Sequence, residues 1–137
     1  MITTSCACTR VRRAARALTD LYDAALEPVG LKVTQFSLLR TIQRMDPVNI
    51  SLLAEEMSLD RSTLGRNLRV LERMQLVDVS EAEDLRARTV VLTARAERLL
   101  EKALPLWEAT QRQVGRLLGG SEVERLFDVL ERIEGLR

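Results

Sequence analysis

The sequence contains no histidine, and its aromatic side chains are one tryptophan, one tyrosine and two phenylalanines. Without histidine the chain lacks the usual group for acid-base chemistry near neutral pH. With only two cysteines, one copy cannot complete a common zinc site, although two copies would bring four thiolates together. There is no glycine-rich phosphate loop and no cluster of metal-ligating residues, so a cysteine nucleophile would have only arginines to activate it. These absences argue against an enzyme, and no catalytic residue, metal or cofactor is expected. Proline and glycine are scarce, at 3 and 6 of 137 residues, and no internal repeat or low-complexity segment interrupts the chain. No apolar run approaches membrane-spanning length and the N-terminus lacks a signal-peptide core, so a cytoplasmic protein with no membrane partner is expected.

The chain has the length of one domain and can bury a real core. Its net charge is only +1, but the positive charge is segregated: Arg10, Arg12, Arg13 and Arg16 crowd the start, and Arg61, Arg66, Arg69 and Arg73 crowd one later helical pattern. A local field of that kind matters more to an anionic partner than the net charge does.

The stretch from Asn49 to Thr93 is the most informative. Residues 50–57 form a short helical pattern that Asn49 or Ser51 can cap, and Ser58 and Leu59 make a turn. Asp60 suits the N-cap of a second helix reaching about Met74, since a carboxylate there accepts from the first-turn amides and complements the dipole. Leu64, Leu68, Leu71 and Met74 recur at intervals of three and four as an inward stripe. The opposite side carries Ser62, Arg66, Arg69 and Arg73, with Arg61, Thr63 and Asn67 beside them. Arginine can grip guanine O6 and N7, asparagine adenine, and the hydroxyls either phosphates or base edges.

Residues 76–80 and 88–92 are short and rich in valine or leucine, and they flank a polar segment, so they predict a β-hairpin. At its tip Arg86 is the residue expected to meet the backbone or minor groove, with Asp84 bracing the loop or pairing with an arginine. Two helices followed by such a hairpin predict a winged helix-turn-helix, with double-stranded DNA as partner. A winged helix that binds protein instead is the alternative, but such a face would more often carry aromatic or aliphatic anchors than arginines.

Outside that lobe, a helix is expected from about Thr9 to Leu26, ended by Pro28, Val29 and Gly30. Thr34 is expected to cap the next helix, to about Met45, with Val33 and Leu38 as a hydrophobic staple. Thr93 begins a stretch to about Leu118 that Pro105 must kink or restart, and Ser121 is expected to cap a last helix striped by Val123, Leu126, Phe127, Leu130 and Ile133. Tyr22, Trp107 and Phe127 are expected to serve packing. Long apolar helices at both ends predict a homodimer, whose two-fold symmetry would match a palindromic operator with half-sites about one helical turn (~10 bp) apart.

Residues 49–93 resemble the DNA-binding lobe of the MarR family of bacterial transcriptional regulators. The resemblance rests on Leu53, Ala54, Ser62, Thr63, Arg66, Leu71, Glu72, Leu76, Val77, Asp84, Arg86, Leu92 and Thr93, and upstream on Pro28, Gly30, Leu31, Thr34, Gln35 and Phe36. It implies a mainly α fold with a small β-hairpin in a single domain, residues 1–137. The winged-helix lobe would span about 34–93, and dimerisation helices about 9–27 and 94–136. It also implies transcriptional control, as a repressor released by a small ligand or by oxidation. Two departures stand out: Gln75 replaces the family's usual glycine, uncomfortable if that position is left-handed, and Leu85 replaces a frequent arginine, weakening the wing.

Cys6 and Cys8 lie at the start of the first helix, with the four arginines close behind. Helix amides and positive charge lower a thiol's pKa and raise its reactivity. The run Cys8, Arg16, Thr19, Tyr22, Leu26, Pro28, Gly30 and Leu31 is similar to the first helix of the family's organic-hydroperoxide sensors. That similarity implies that Cys8 senses and Tyr22 hydrogen-bonds its sulfur across the dimer, although Arg12 stands where those sensors have a second tyrosine. Two other readings remain open: ordinary reduced thiols, one exposed and one packed, or a soft-metal or arsenite site.

Overall fold

The computed structural model describes residues 5–84 and 86–137. Helix α1 (Ala7–Leu26) leads through a 3-10 turn (Glu27–Val29) to α2 (Val33–Met45), strand β1 (Val48–Asn49), α3 (Ile50–Met57) and α4 (Arg61–Arg73). The strands β2 (Val77–Val79) and β3 (Thr89–Leu92) follow, then α5 (Ala94–Leu118) and α6 (Glu122–Glu134). This is the expected mainly helical architecture with one small sheet. No helix among the described residues is long and apolar enough to cross a membrane.

The sheet has one strand more than the hairpin pattern indicated. Its order is β1-β3-β2, all antiparallel, with Val48 opposite Val90 and Asn49 opposite Thr89 on one side, and Val77 and Val79 opposite Leu92 and Val90 on the other. Val90 thus sits at the centre and is fully buried. A two-residue strand shows no alternation in sequence, so only its tertiary partner reveals it.

Within the lobe, local chemistry and packing agree. Asn49 Oδ1 accepts from Leu52 N at 2.7 Å and Asp60 Oδ1 from Thr63 N at 2.7 Å, capping α3 and α4 as expected. Leu64, Leu68 and Leu71 of α4 are buried against Leu39 and Ile42 of α2 and Leu53 of α3 in one core. Each such leucine contributes about 1.5–3 kcal/mol by leaving water. Helix α4 ends in a Schellman arrangement: Leu76 N donates to Leu71 O and Gln75 N to Glu72 O, both at 2.9 Å. Gln75 has φ 60°, so the departure from glycine does fall on a left-handed residue and costs about 1 kcal/mol.

Three expectations about helix ends are corrected. The N-cap of α2 is Lys32, with Thr34 inside the helix; Lys32 N donates to Gln35 Oε1 at 2.9 Å and Val33 N to Asp23 Oδ1 at 2.7 Å. A carboxylate from α1 thus does what a local hydroxyl was expected to do, and the staple positions become the buried pair Leu31 and Phe36. Helix α5 is continuous through Pro105 and does not restart there. Packing of Leu100 and Ala103 before the proline and Thr110 after it, all buried, holds the two halves in one helix. Ser121 precedes α6 but its backbone is already helical and its side chain makes no cap bond. Gly119 and Gly120, both at positive φ, separate α5 from α6 as expected.

Tyr22 and Trp107 pack as expected. Trp107 stacks on Phe36, ring centroids 5.8 Å apart, and joins α5 to the lobe. Tyr22 is buried, and its hydroxyl donates to Gln111 Oε1, tying α1 to α5. Phe127 is different: it is 55 % exposed, and α6 buries none of its residues within the chain.

Candidate nucleic-acid interface

The polar face of α4 is built on its buried leucines. Because Leu64, Leu68 and Leu71 point inward, Arg61, Ser62, Arg66, Asn67, Arg69 and Arg73 are all exposed, with Thr63 half-buried at the edge. Among the described residues the one ion pair is Arg125 with Glu122 on α6, so no α4 guanidinium is closely paired with a carboxylate, although Arg66 lies near enough to Asp60 for the two charges to interact. Such a face attracts phosphates and leaves its donors available to base edges.

One residue that the sequence marked only as a cap proves to organise that face. Asp60 accepts three hydrogen bonds: Ser62 Oγ at 2.7 Å and Thr63 N at 2.7 Å on Oδ1, and Thr63 Oγ1 at 3.0 Å on Oδ2. Arg66 Nη2 then donates to Thr63 Oγ1 at 3.2 Å, extending the chain of bonds along the helix. The backbone amide of Thr63, followed by the hydroxyls of Ser62 and Thr63, holds the Asp60 carboxyl down at a pKa of about 2. The signal in the sequence was the spacing, an acid followed at two and three residues by hydroxyls.

The wing lies between β2 and β3. Asp84 braces it as expected: its Oδ1 accepts from Arg86 N at 2.9 Å, and its carbonyl from Ala87 N at 3.0 Å and Arg88 N at 3.2 Å. The bond runs to the Arg86 backbone, so the Arg86 side chain stays exposed at the tip. Leu85, expected to weaken the wing, lies outside the described residues. Arg88 was not singled out from sequence, yet it staples the wing's base: its Nη2 donates to Ala82 O at 2.9 Å. Ser80 Oγ adds a second tie by accepting from Thr89 N at 2.8 Å.

The cysteines lie apart from this face. Cys6 is the N-cap of α1 and Cys8 lies in its first turn; both are free of disulfides and exposed within the single chain. Hydrogen bonding from the Thr9 side chain, and then its backbone amide, draws the Cys6 thiol below its ordinary range. Tyr22 gives its hydroxyl to Gln111 within the chain, and burial pushes its phenol up.

Comparison with known proteins agrees with this geometry. The MarR family profile matches residues 31–87, from the entry of α2 to the wing. The M. tuberculosis transcriptional regulator MosR, crystallised in complex with DNA, is 41 % identical, covers 97 % of this chain and 99 % of its own, and superposes with a TM-score of 0.82. A mutant of E. coli MarR complexed with operator DNA shares the fold, with a TM-score of 0.82, 21 % identity and 91 % of each chain covered. A Bacillus subtilis protein, the uncharacterized HTH-type transcriptional regulator YwoH, is 28 % identical over 93 residues, 68 % of each chain. The lobe with its exposed arginine helix, and a likeness that continues through the flanking helices, lead to one conclusion: the chain belongs to the MarR family and is a DNA-binding transcriptional regulator.

Proposed function

We propose that the protein is a cytoplasmic homodimeric repressor that occupies a palindromic operator and leaves it when its N-terminal thiols are oxidised or a small molecule binds. It carries out no catalysis. Residues 1–137 work as one domain. Helix α4 enters the major groove of each half-site, where Arg66 reads a base with Ser62, Thr63 and Asn67 beside it, and Arg61, Arg69 and Arg73 hold phosphates. Arg86 reaches the neighbouring minor groove, on a loop braced by Asp84. Helices α1, α5 and α6 join two copies.

The observation that carries this reading is the exposed arginine face of α4, which forms no close ion pair, on a closed core. The DNA complex of the 41 %-identical MosR supports it. A gel shift on the DNA flanking the protein's own gene tests it. Binding should fall steeply with salt, as counterions released by arginine contacts require, and Arg86→Ala should narrow the protected footprint at its outer edges. A salt-insensitive shift, or none, would remove DNA from the reading.

For release, the resemblance assigns the sensing role to Cys8, and Cys6, a thiol drawn below its ordinary range by Thr9, lies two residues away. A hydroperoxide would convert one thiolate to a sulfenate, leaving as the alcohol, and a thiol from the other subunit or a small thiol would then displace water to form a disulfide. The added bulk at the dimer's helical end would change the spacing between recognition helices. Titration of operator binding with cumene hydroperoxide in wild type, Cys6→Ser and Cys8→Ser decides: release that persists unchanged in Cys8→Ser, or no release in any form, rules out the Cys8 switch and leaves a non-covalent inducer.

A further inference from the structure

The geometry points to Asp60 as a specificity-determining positioning residue, which turns the Ser62 hydroxyl into an acceptor that selects a base carrying an exocyclic amine. The inference rests on the proposal that α4 lies in the major groove. A hydroxyl has one proton. That of Ser62 is donated to Asp60 Oδ1 at 2.7 Å, and that of Thr63 to Asp60 Oδ2 at 3.0 Å. A carboxyl with a pKa of about 2 is ionised at every working pH and can only accept, so neither hydroxyl can turn its proton outward without giving up that bond.

The consequences for the two hydroxyls differ. Thr63 Oγ1 also accepts from Arg66 Nη2 at 3.2 Å, so its oxygen is engaged and acts by aiming the guanidinium. Ser62 is exposed in the first turn of α4, where recognition helices meet base edges, and it presents only lone pairs. In the major groove the matching donors are adenine N6 and cytosine N4, while guanine O6 and thymine O4 offer lone pairs and would repel it. A serine that would otherwise serve any base is thus restricted to adenine or cytosine. The carboxylate that does this opposes the phosphates, so it lowers affinity for all DNA while raising discrimination.

The test compares wild type with Asp60→Ser, Ser62→Ala and the double variant on a panel of operator duplexes carrying single base-pair changes and on a scrambled duplex, at fixed salt. Serine is itself a good N-cap, so Asp60→Ser keeps the helix start, and a thermal melt verifies folding. At one operator position wild type should prefer adenine or cytosine. Both single variants should lose that preference by a factor on the order of 3–10, the worth of one hydrogen bond, and the double variant should lose no more than either. Affinity of Asp60→Ser for scrambled DNA should be higher, which a helix merely loosened by losing its cap would not show. Preference retained in Asp60→Ser but lost in Ser62→Ala overturns the role of Asp60, as do losses that add in the double variant, which would indicate that Asp60 touches a base directly. Arg66→Ala separates the two layers: if it too leaves discrimination intact, the groove assignment of α4 fails, whereas if it abolishes discrimination while Asp60→Ser does not, only the present inference fails.

Discussion

The winged-helix lobe and helix α6 carry apolar side chains in similar proportion but stand in opposite states. In the lobe, Leu53, Leu64, Leu71 and Val90 are completely buried and every helix start is capped by chemistry within reach. In α6 no residue is buried, and Phe127, Ile133 and Leu117 at the end of α5 are 55, 41 and 73 % exposed. A stripe of that regularity has a stable place only against another surface, and a second copy supplies a self-complementary one. The lobe is therefore complete in one chain, whereas in the proposed dimer the ends would form half of an interface.

The largest expected effect separates the two regions by what breaks. Leu71→Ala should remove about 2–5 kcal/mol from unfolding free energy measured in urea, because it opens a cavity in a closed core. Phe127→Asp should leave the lobe folded yet shift the protein from dimer to monomer in analytical ultracentrifugation. If Phe127→Asp unfolds the chain as completely as Leu71→Ala does, the two regions form one cooperative unit and the contrast drawn here fails.

Next is the function of the lobe's outer face. Arg66→Ala should weaken specific operator binding by about 1–3 kcal/mol and relax one base preference, while Arg69→Ala or Arg73→Ala should weaken all sequences evenly and lower the salt slope by about one. Equal losses on operator and scrambled DNA for all three variants would reduce the face to a phosphate clamp.

A smaller effect tests one of the lobe's left-handed joints, Gln75, the other being Ser58 at φ 52°. Gln75→Gly should stabilise the protein by about 1 kcal/mol in thermal unfolding, since the Schellman turn already holds that residue at φ 60°. A destabilised variant would mean that the Gln75 side chain makes contacts worth more than the strain.

The smallest concerns acid. The Asp60 carboxyl is lowered from 3.8 to about 2, so its contribution is fully present above about pH 4 and disappears as pH falls through 2. Asp60→Asn should flatten the loss of stability across that window in acid titrations monitored by circular dichroism, leaving the neutral-pH ranking of variants unchanged.

What could be read from the sequence followed the distance over which each residue acts. Asn49 and Asp60 each cap a helix through an amide three residues away, so their chemistry was visible in their spacing. Likewise the inward stripe of Leu64, Leu68 and Leu71 is periodic. The cap of α2 was misplaced because its acceptor, Asp23, lies ten residues upstream on another helix. Strand β1 was missed because it is defined by Val90 and Thr89, forty residues away in chain order. Pro105 was expected to kink or restart α5 because its missing N–H is a local fact, while the packing that keeps the helix continuous is not. In the interface, residue types named the charged face, but the sharing of one carboxylate by Ser62 and Thr63 required coordinates.

The short strand β1 also has a mechanical meaning. Asn49 is at once a sheet residue opposite Thr89 and the residue that caps α3, and the next amide, Ile50 N, donates to Arg88 O at 3.0 Å. The root of the wing and the root of the helix-turn-helix are thus riveted through a single residue, like two jaws of a caliper cast on one hinge pin that has been welded shut. A lobe so joined has a set gauge, and in the proposed dimer it would be carried nearer to or farther from its twin, or tilted as a block, with an inducer acting on the handles.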